Sequence, residues 1–279
     1  MIGVNGMTDL TTLRQPLAAL AAALVLAGCA TTGGDPRDPW EGYNRAMYSF
    51  NEGVDKAVFK PLAIGYDEVA PLPVKVTIGN FFGNIEDIWT GVNNLLQGKG
   101  SDGASDLGRV LINTTLGIFG VFDVATEMGI EKHDEDLGQT LAVWGVGDGP
   151  YFVVPFFGPR TLRDAAALPA DLYGNSWVQP ADIAARNSVT GLKMVHTRAT
   201  LLGADRAASQ GSLDKYVYIR DFYLQQRRYE IYDGNPPRER FDDARAPATE
   251  QHAIHAIEAD GVAAGAMRLE LAGLTGAGR

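Results

Sequence analysis

Cysteine is almost absent from this chain: one occurs in 279 residues, Cys29. A single thiol excludes an intrachain disulfide in any redox compartment, so burial has to hold the fold together. Basic charge is in deficit too, with 24 Lys and Arg against 34 Asp and Glu and a net charge of −10. That balance excludes the basic footprint of a nucleic-acid binder and recruitment to anionic lipid by a polybasic patch. Long apolar runs are missing. The most apolar internal stretch, Leu141–Pro159, carries one charge, Asp148, but Pro150, Pro155 and Pro159 and Gly145, Gly147, Gly149 and Gly158 break it up. A spanning helix needs about 20 apolar residues in a row. Pro155 argues against a central strand, so Tyr151–Phe157 reads as an apolar segment of irregular backbone. Such backbone finds partners within protein, or lines a wet cavity, if it lies at membrane depth.

Signatures of catalysis are lacking as well. There is no G-x-S-x-G nucleophile elbow. Gly98-Lys99 ends like a phosphate-binding loop, but Asn93 stands where its first glycine is needed. Gly145, Gly147 and Gly149 lack dinucleotide-binding spacing and a preceding strand. The four histidines are scattered, and only His252 and His255 sit at a metal-like spacing. Glu131–Asp136 lacks the spacing of a calcium loop and reads as a solvated acidic run. Arg163 and Asp164 read as a structural pair, not an acid and base. The expectation is no catalytic residue, no metal and no enzyme activity.

What is present begins with a leader. Leu17–Leu26 is an apolar core of signal-peptide length, and Leu26-Ala27-Gly28-Cys29 places the sole thiol directly after small residues. This is the order of a lipobox, in which the sulfur takes a diacylglycerol; the competing reading is an ordinary secretory signal with a buried cysteine beyond it. The boundaries that follow are 1–28 leader, 29–37 lipidated tether, 38–234 helical domain and 235–279 mobile tail. The covalent lipid on Cys29 is the only cofactor expected. Each acyl CH₂ contributes about 0.8 kcal/mol, and stable anchoring takes more than one chain.

Helical periodicity dominates the domain. Asp38 is placed to cap a first helix with Pro39 at its first position, and Tyr43, Met47, Phe50, Val54 and Val58 form its apolar stripe. Pro61 should end it. Pro73 opens a second, lined by Ile78, Phe81, Phe82, Ile85, Trp89, Val92 and Leu96, with Gly98 as C-cap. Ser101 or Asp102 caps a third, to about Leu116. Gly117–Val124 is a second charge-poor, glycine-containing patch. Ala-rich turns follow Asp164. Helices are then expected near Asp182–Leu202 and, capped by Ser212, over Leu213–Tyr232. Strand alternation is convincing nowhere, which points to an all-α fold.

Several ordered motifs carry a resemblance: DPWEGYNRAMYSFN at Asp38–Asn51, NFFGNIEDIWTGVNNLLQG at Asn80–Gly98, INTTLGIFGVFD at Ile112–Asp123, and LGQTL, WGVGDGPY, PFFGP and TLRD within Leu137–Asp164. Together they resemble the MlaA/VacJ family of outer-membrane lipoproteins over roughly Asp38–Tyr232. Leu137, Arg160 and Ala165–Ala167 depart from the family's usual residues. The resemblance implies a single ring-like helical domain, anchored at Cys29 and seated in one leaflet of the outer membrane on its periplasmic side. It implies removal of mislocalised phospholipid from the outer leaflet and delivery to a periplasmic lipid-carrier protein of the Mla system, beside a trimeric porin. The alternative is a structural lipoprotein that binds porins without moving lipid. The residues expected at the lipid-facing side or channel mouth are Phe119, Phe122, Tyr151, Phe152, Phe156 and Phe157, with core packing as the competing role.

Overall fold

In a computed structural model, residues 34–176 and 180–237 are described. The leader, Cys29, the pair His252 and His255 and the tail beyond Pro237 lie outside them. The fold is predominantly helical. Helix α1 (Glu41–Val54) runs through one π-helical segment, Asp55–Phe59, into α2 (Lys60–Val69). Helices α3 (Leu72–Leu96) and α4 (Gly100–Thr115) form the main helical hairpin. Short helices α5 (Val124–Glu127) and α6 (Leu137–Val143) follow. Next come strands β1 (Tyr151–Val154) and β2 (Gly158–Thr161), then α7 (Leu162–Gly174), α8 (Ile183–Thr200), α9 (Leu202–Gly211) and α10 (Lys215–Ile231). Helix α6 packs on α7, α2 on α8, β1 on α1 and β2 on α10.

Several local expectations are corrected. Asp38 does not cap α1, which starts after Trp40. Its carboxylate is instead buried, accepting from Asn44 Nδ2 at 2.7 Å and from the Tyr216 hydroxyl. Pro61 does not end the rod: it falls in the first turn of α2, where a missing N–H is tolerated. Lys99, not Ser101 or Asp102, precedes α4, and Asp214, not Ser212, caps α10. The alanine-rich stretch after Asp164 is helix α7, with Pro169 inside it. Gly98 follows α3 with φ +83°, as its C-cap reading requires.

Tyr151–Phe157 is not irregular either. It is β1 and the turn of an antiparallel hairpin with Tyr151 opposite Thr161 and Val154 opposite Gly158. Pro155 lies in the turn, so it takes no donor from a ladder. The outer edge of β1 is covered by side chains of α1. Asn44 donates to the Tyr151 carbonyl at 3.0 Å and accepts from the Val153 N–H at 2.8 Å. Two helical turns on, Asn51 donates to the Val154 carbonyl at 3.0 Å and accepts from the Phe156 N–H at 2.8 Å. Amide side chains thus act as a surrogate strand and satisfy an edge that would otherwise be open.

Packing inverts the usual order of residue types. The face that α3 buries carries Asn84, Asp87, Thr90, Asn93 and Asn94 beside Phe82, and α4 buries Asp106, Arg109 and Asn113. The two helices meet at Gly91 and Gly103, where an added Cβ would collide with Leu107 or Leu95 and the facing backbone. The apolar core proper is small: Tyr151, Val153 and Tyr216, with Met47, Tyr48, Tyr223 and Leu224 against it.

Candidate functional site

The polar interior is built from ion pairs whose members come from distant parts of the chain. Arg109 is 1% exposed. Its Nη2 donates to both oxygens of Asp123 at 2.9 and 3.0 Å, its Nη1 to Thr126 Oγ1 and the Ile130 carbonyl at 3.0 and 2.7 Å, and its Nε to Asp87 at 3.3 Å. Burial alone would raise the Asp123 carboxyl, but hydrogen bonds from Thr126, Asn113 and Arg109 hold it at about 2. Asp87 also pairs with Lys132, yet burial dominates there and pushes its carboxyl up. These groups, with Asn80, Asn84 and Asn113, line a cavity of about 90 Å³ between α3 and α4. Lys132 is half-exposed at its mouth.

The acidic run does not simply face water. Glu135 is buried and receives Gln97 Nε2 at 2.7 Å and Lys99 Nζ at 2.9 Å. Asp136 caps α6 and pairs with Arg227 at 2.6 Å. Arg163 and Asp164 form the expected structural pair, enlarged by a partner sequence reading missed: Arg227 of α10 bonds Asp164 at 3.0 Å, and the Tyr223 hydroxyl donates to it at 2.7 Å. Burial would raise Asp164, but Arg227 and Arg163 outweigh it and hold the carboxyl at about 2. Among the described residues no three His, Cys, Asp or Glu converge as a metal would require.

The large apolar residues lie outside. Phe119 is 73% exposed, Phe156 64%, Phe122 55% and Phe157 48%. Phe119 and Phe122 sit in the turn between α4 and α5, where Ile118, Phe119 and Gly120 all have positive φ. Phe156 and Phe157 are at the hairpin turn, with Phe50 edge-on to Phe156 at 5.2 Å. Two of the six predicted aromatics differ. Tyr151 is 1% exposed and belongs to the apolar core, so its place is packing. Phe152 is half-buried, stacked on Tyr43 at 5.2 Å. The structure therefore exposes Phe156 and Phe157 at the hairpin turn and Phe119 and Phe122 in the turn after α4, and turns Tyr151 inward. Leu111, Leu116, Ile118, Val143 and Trp144 are exposed as well. No helix among the described residues is long and apolar enough to cross a membrane.

Comparison with known proteins agrees with this architecture. The family model described as "MlaA lipoprotein" matches residues 36–230. The "Intermembrane phospholipid transport system lipoprotein MlaA" of Shigella flexneri is 36% identical over 227 residues, covering 78% of this chain and 89% of that protein. Its Escherichia coli K12 counterpart is 35% identical with the same coverage. A solved structure described as "Structural basis for maintenance of bacterial outer membrane lipid asymmetry" superposes with a TM-score of 0.59 at 31% identity, covering 71% of this chain and 99% of that one. The buried ion pairs, the hairpin clasped by α1 and a match across most of the sequence lead to one assignment: the chain belongs to the MlaA lipoprotein family.

Proposed function

We infer that this protein is an outer-membrane lipoprotein that removes mislocalised phospholipid from the outer leaflet and passes it to a periplasmic carrier, so maintaining lipid asymmetry. The observation that carries the reading is the inversion of residue types. Phe119, Phe122, Phe156 and Phe157 face outward while Asp87, Arg109, Asn113 and Asp164 are turned in or lie against a cavity. A body resting in one leaflet needs apolar flanks for the acyl region and a polar interior for a headgroup. The names of the relatives from Shigella flexneri and Escherichia coli support transport over a porin tether alone.

In this reading Cys29 carries the lipid anchor and the exposed aromatics set the depth of the body. Seating is on the periplasmic side of the outer membrane. A trimeric porin is the partner within the membrane, and a soluble lipid carrier of the Mla system is the partner in the periplasm. Moving a lipid breaks no bond, so the reading asks for no nucleophile or metal.

The test is phospholipid exposure at the surface of cells lacking this gene, read by a surface-acting phospholipase. Exposure rises on deletion, wild type restores the normal level and Cys29→Ala does not. Unchanged exposure on deletion would overturn the transport reading. Full rescue by Cys29→Ala would overturn the anchor.

A further inference from the structure

The cavity between α3 and α4 contains an unmet hydrogen bond. Asn84 is 7% exposed; its Nδ2 donates to Thr114 Oγ1 at 3.1 Å, and its Oδ1 is buried with no partner. Among the described residues lining the cavity, no other side-chain atom is buried and open in this way. An orphaned acceptor at the wall of a polar cavity calls for a donor from outside the protein. Gly120 sets its position: with φ +84°, its α-carbon lies so close that a Cβ would be 2.7 Å from the Asn84 Cβ.

The charges around it narrow the chemistry. Arg109 and Lys132 offset Asp87 and Asp123, which they already bond. The four sum to zero, and a ligand with net charge would upset a balanced, partly buried set. Lys132 nevertheless keeps donor capacity at the mouth: its ammonium has three N–H groups, and Asp87 and the Gly83 carbonyl take two. The cavity therefore asks for a small group, neutral overall, with N–H donors at one end and acceptor oxygens at the other.

The surroundings show how such a group would be carried. The turn after α4, packed against Asn84 at Gly120 and tied by Asn80 Nδ2 to the Val121 carbonyl at 3.3 Å, also displays Phe119 and Phe122 outward. A polar hollow thus adjoins an exposed aromatic surface, the complement of an amphiphile with a small zwitterionic head. We propose that this cavity is a headgroup subsite for phospholipids bearing a primary ammonium, the phosphoethanolamine class, with Asn84 Oδ1 receiving the ammonium, Lys132 facing the phosphate and the tails running over Phe119 and Phe122. The proposal rests on the transport reading above and deepens it. A trimethylammonium head has no N–H to give and leaves Asn84 unmet; a glycerol head brings a net negative charge.

The test is competition for the full-length lipoprotein in non-ionic detergent, read by native mass spectrometry, among equimolar phosphatidylethanolamine, phosphatidylcholine and phosphatidylglycerol with identical chains. One missing bond to a buried acceptor predicts a preference of roughly tenfold for the ethanolamine lipid over the choline lipid. Asn84→Ala brings that ratio near one. Asn84→Asp, nearly isosteric, keeps the ethanolamine lipid and excludes the glycerol lipid further; it decides the matter if the alanine variant does not fold. Persistence of binding in excess free phosphoethanolamine assigns the subsite to membrane lipid, and displacement overturns the role of the tails. A ratio of one in the wild type, a ratio untouched by Asn84→Ala, or a preference for the glycerol lipid overturns the subsite. Equal binding of all three lipids does so while leaving transport standing, whereas binding of none removes both.

Discussion

Single residues in this protein carry unusual electrostatic loads. Asp164 sits between Arg163 and Arg227 with its carboxyl held at about 2, below the unfolded value near 3.9. A lowered carboxylate contributes stability that is complete above the unfolded pKa and is lost as pH falls through the folded one. The stability difference between wild type and Asp164→Asn should therefore be on the order of 2 kcal/mol near neutrality and shrink between about pH 4 and pH 2. Denaturant titrations at a series of pH values check this; a constant difference would rule it out. Removing Asn44 acts differently. It leaves the Tyr151 carbonyl, the Val153 N–H and the Asp38 carboxylate short of a partner, so Asn44→Ala should cost about 3 kcal/mol. Melting of the detergent-solubilised protein reads that loss. Gly174 lies against the indole of Trp89, where a Cβ would overlap the ring. Gly174→Val should lower the melting temperature by several degrees, as a change of about 2 kcal/mol does.

At the level of elements, the hairpin and the turn after α4 are built alike. Each ties down a backbone polar group internally and points aromatic side chains outward. The hairpin turn rests on Asn51, with Phe156 at φ +67°. Its aromatics can be changed without touching the clasp, so Phe156→Asp should leave the fold intact and weaken membrane seating. Flotation of the Cys29→Ala form with vesicles, with and without Phe156→Asp, measures this; equal flotation would remove Phe156 from the contact. The sequence hid the hairpin because Pro155 and Gly158 look like breakers of regular structure. Pro155 instead lies in the turn and Gly158 opens β2, and the outer edge of β1 is paired by asparagine side chains of α1. Such pairing leaves no periodic trace in the strand itself.

For the whole molecule, a net charge of −10 means that the membrane contact proposed above would not rest on attraction to anionic lipid. Vesicle binding of the Cys29→Ala form should survive about 1 M salt, where the screening length is only about 3 Å. Loss of binding in salt would point to an electrostatic contact. By itself the sequence determined the predominance of helix, the capping glycine at Gly98, the pairing of Arg163 with Asp164 and the family, because periodicity, local φ requirements and ordered motifs are written along the chain. It did not reveal which face of each helix is inside. An amphipathic stripe such as Ile78–Leu96 has the same period whether its apolar side meets core or lipid. Only the tertiary structure decided that, by bringing Asp87, Arg109, Asp123 and Lys132 from separate segments into mutual pairing. Those pairings draw the polar faces of α3 and α4 together, while Phe119 and Phe122 in the turn after α4 stay exposed.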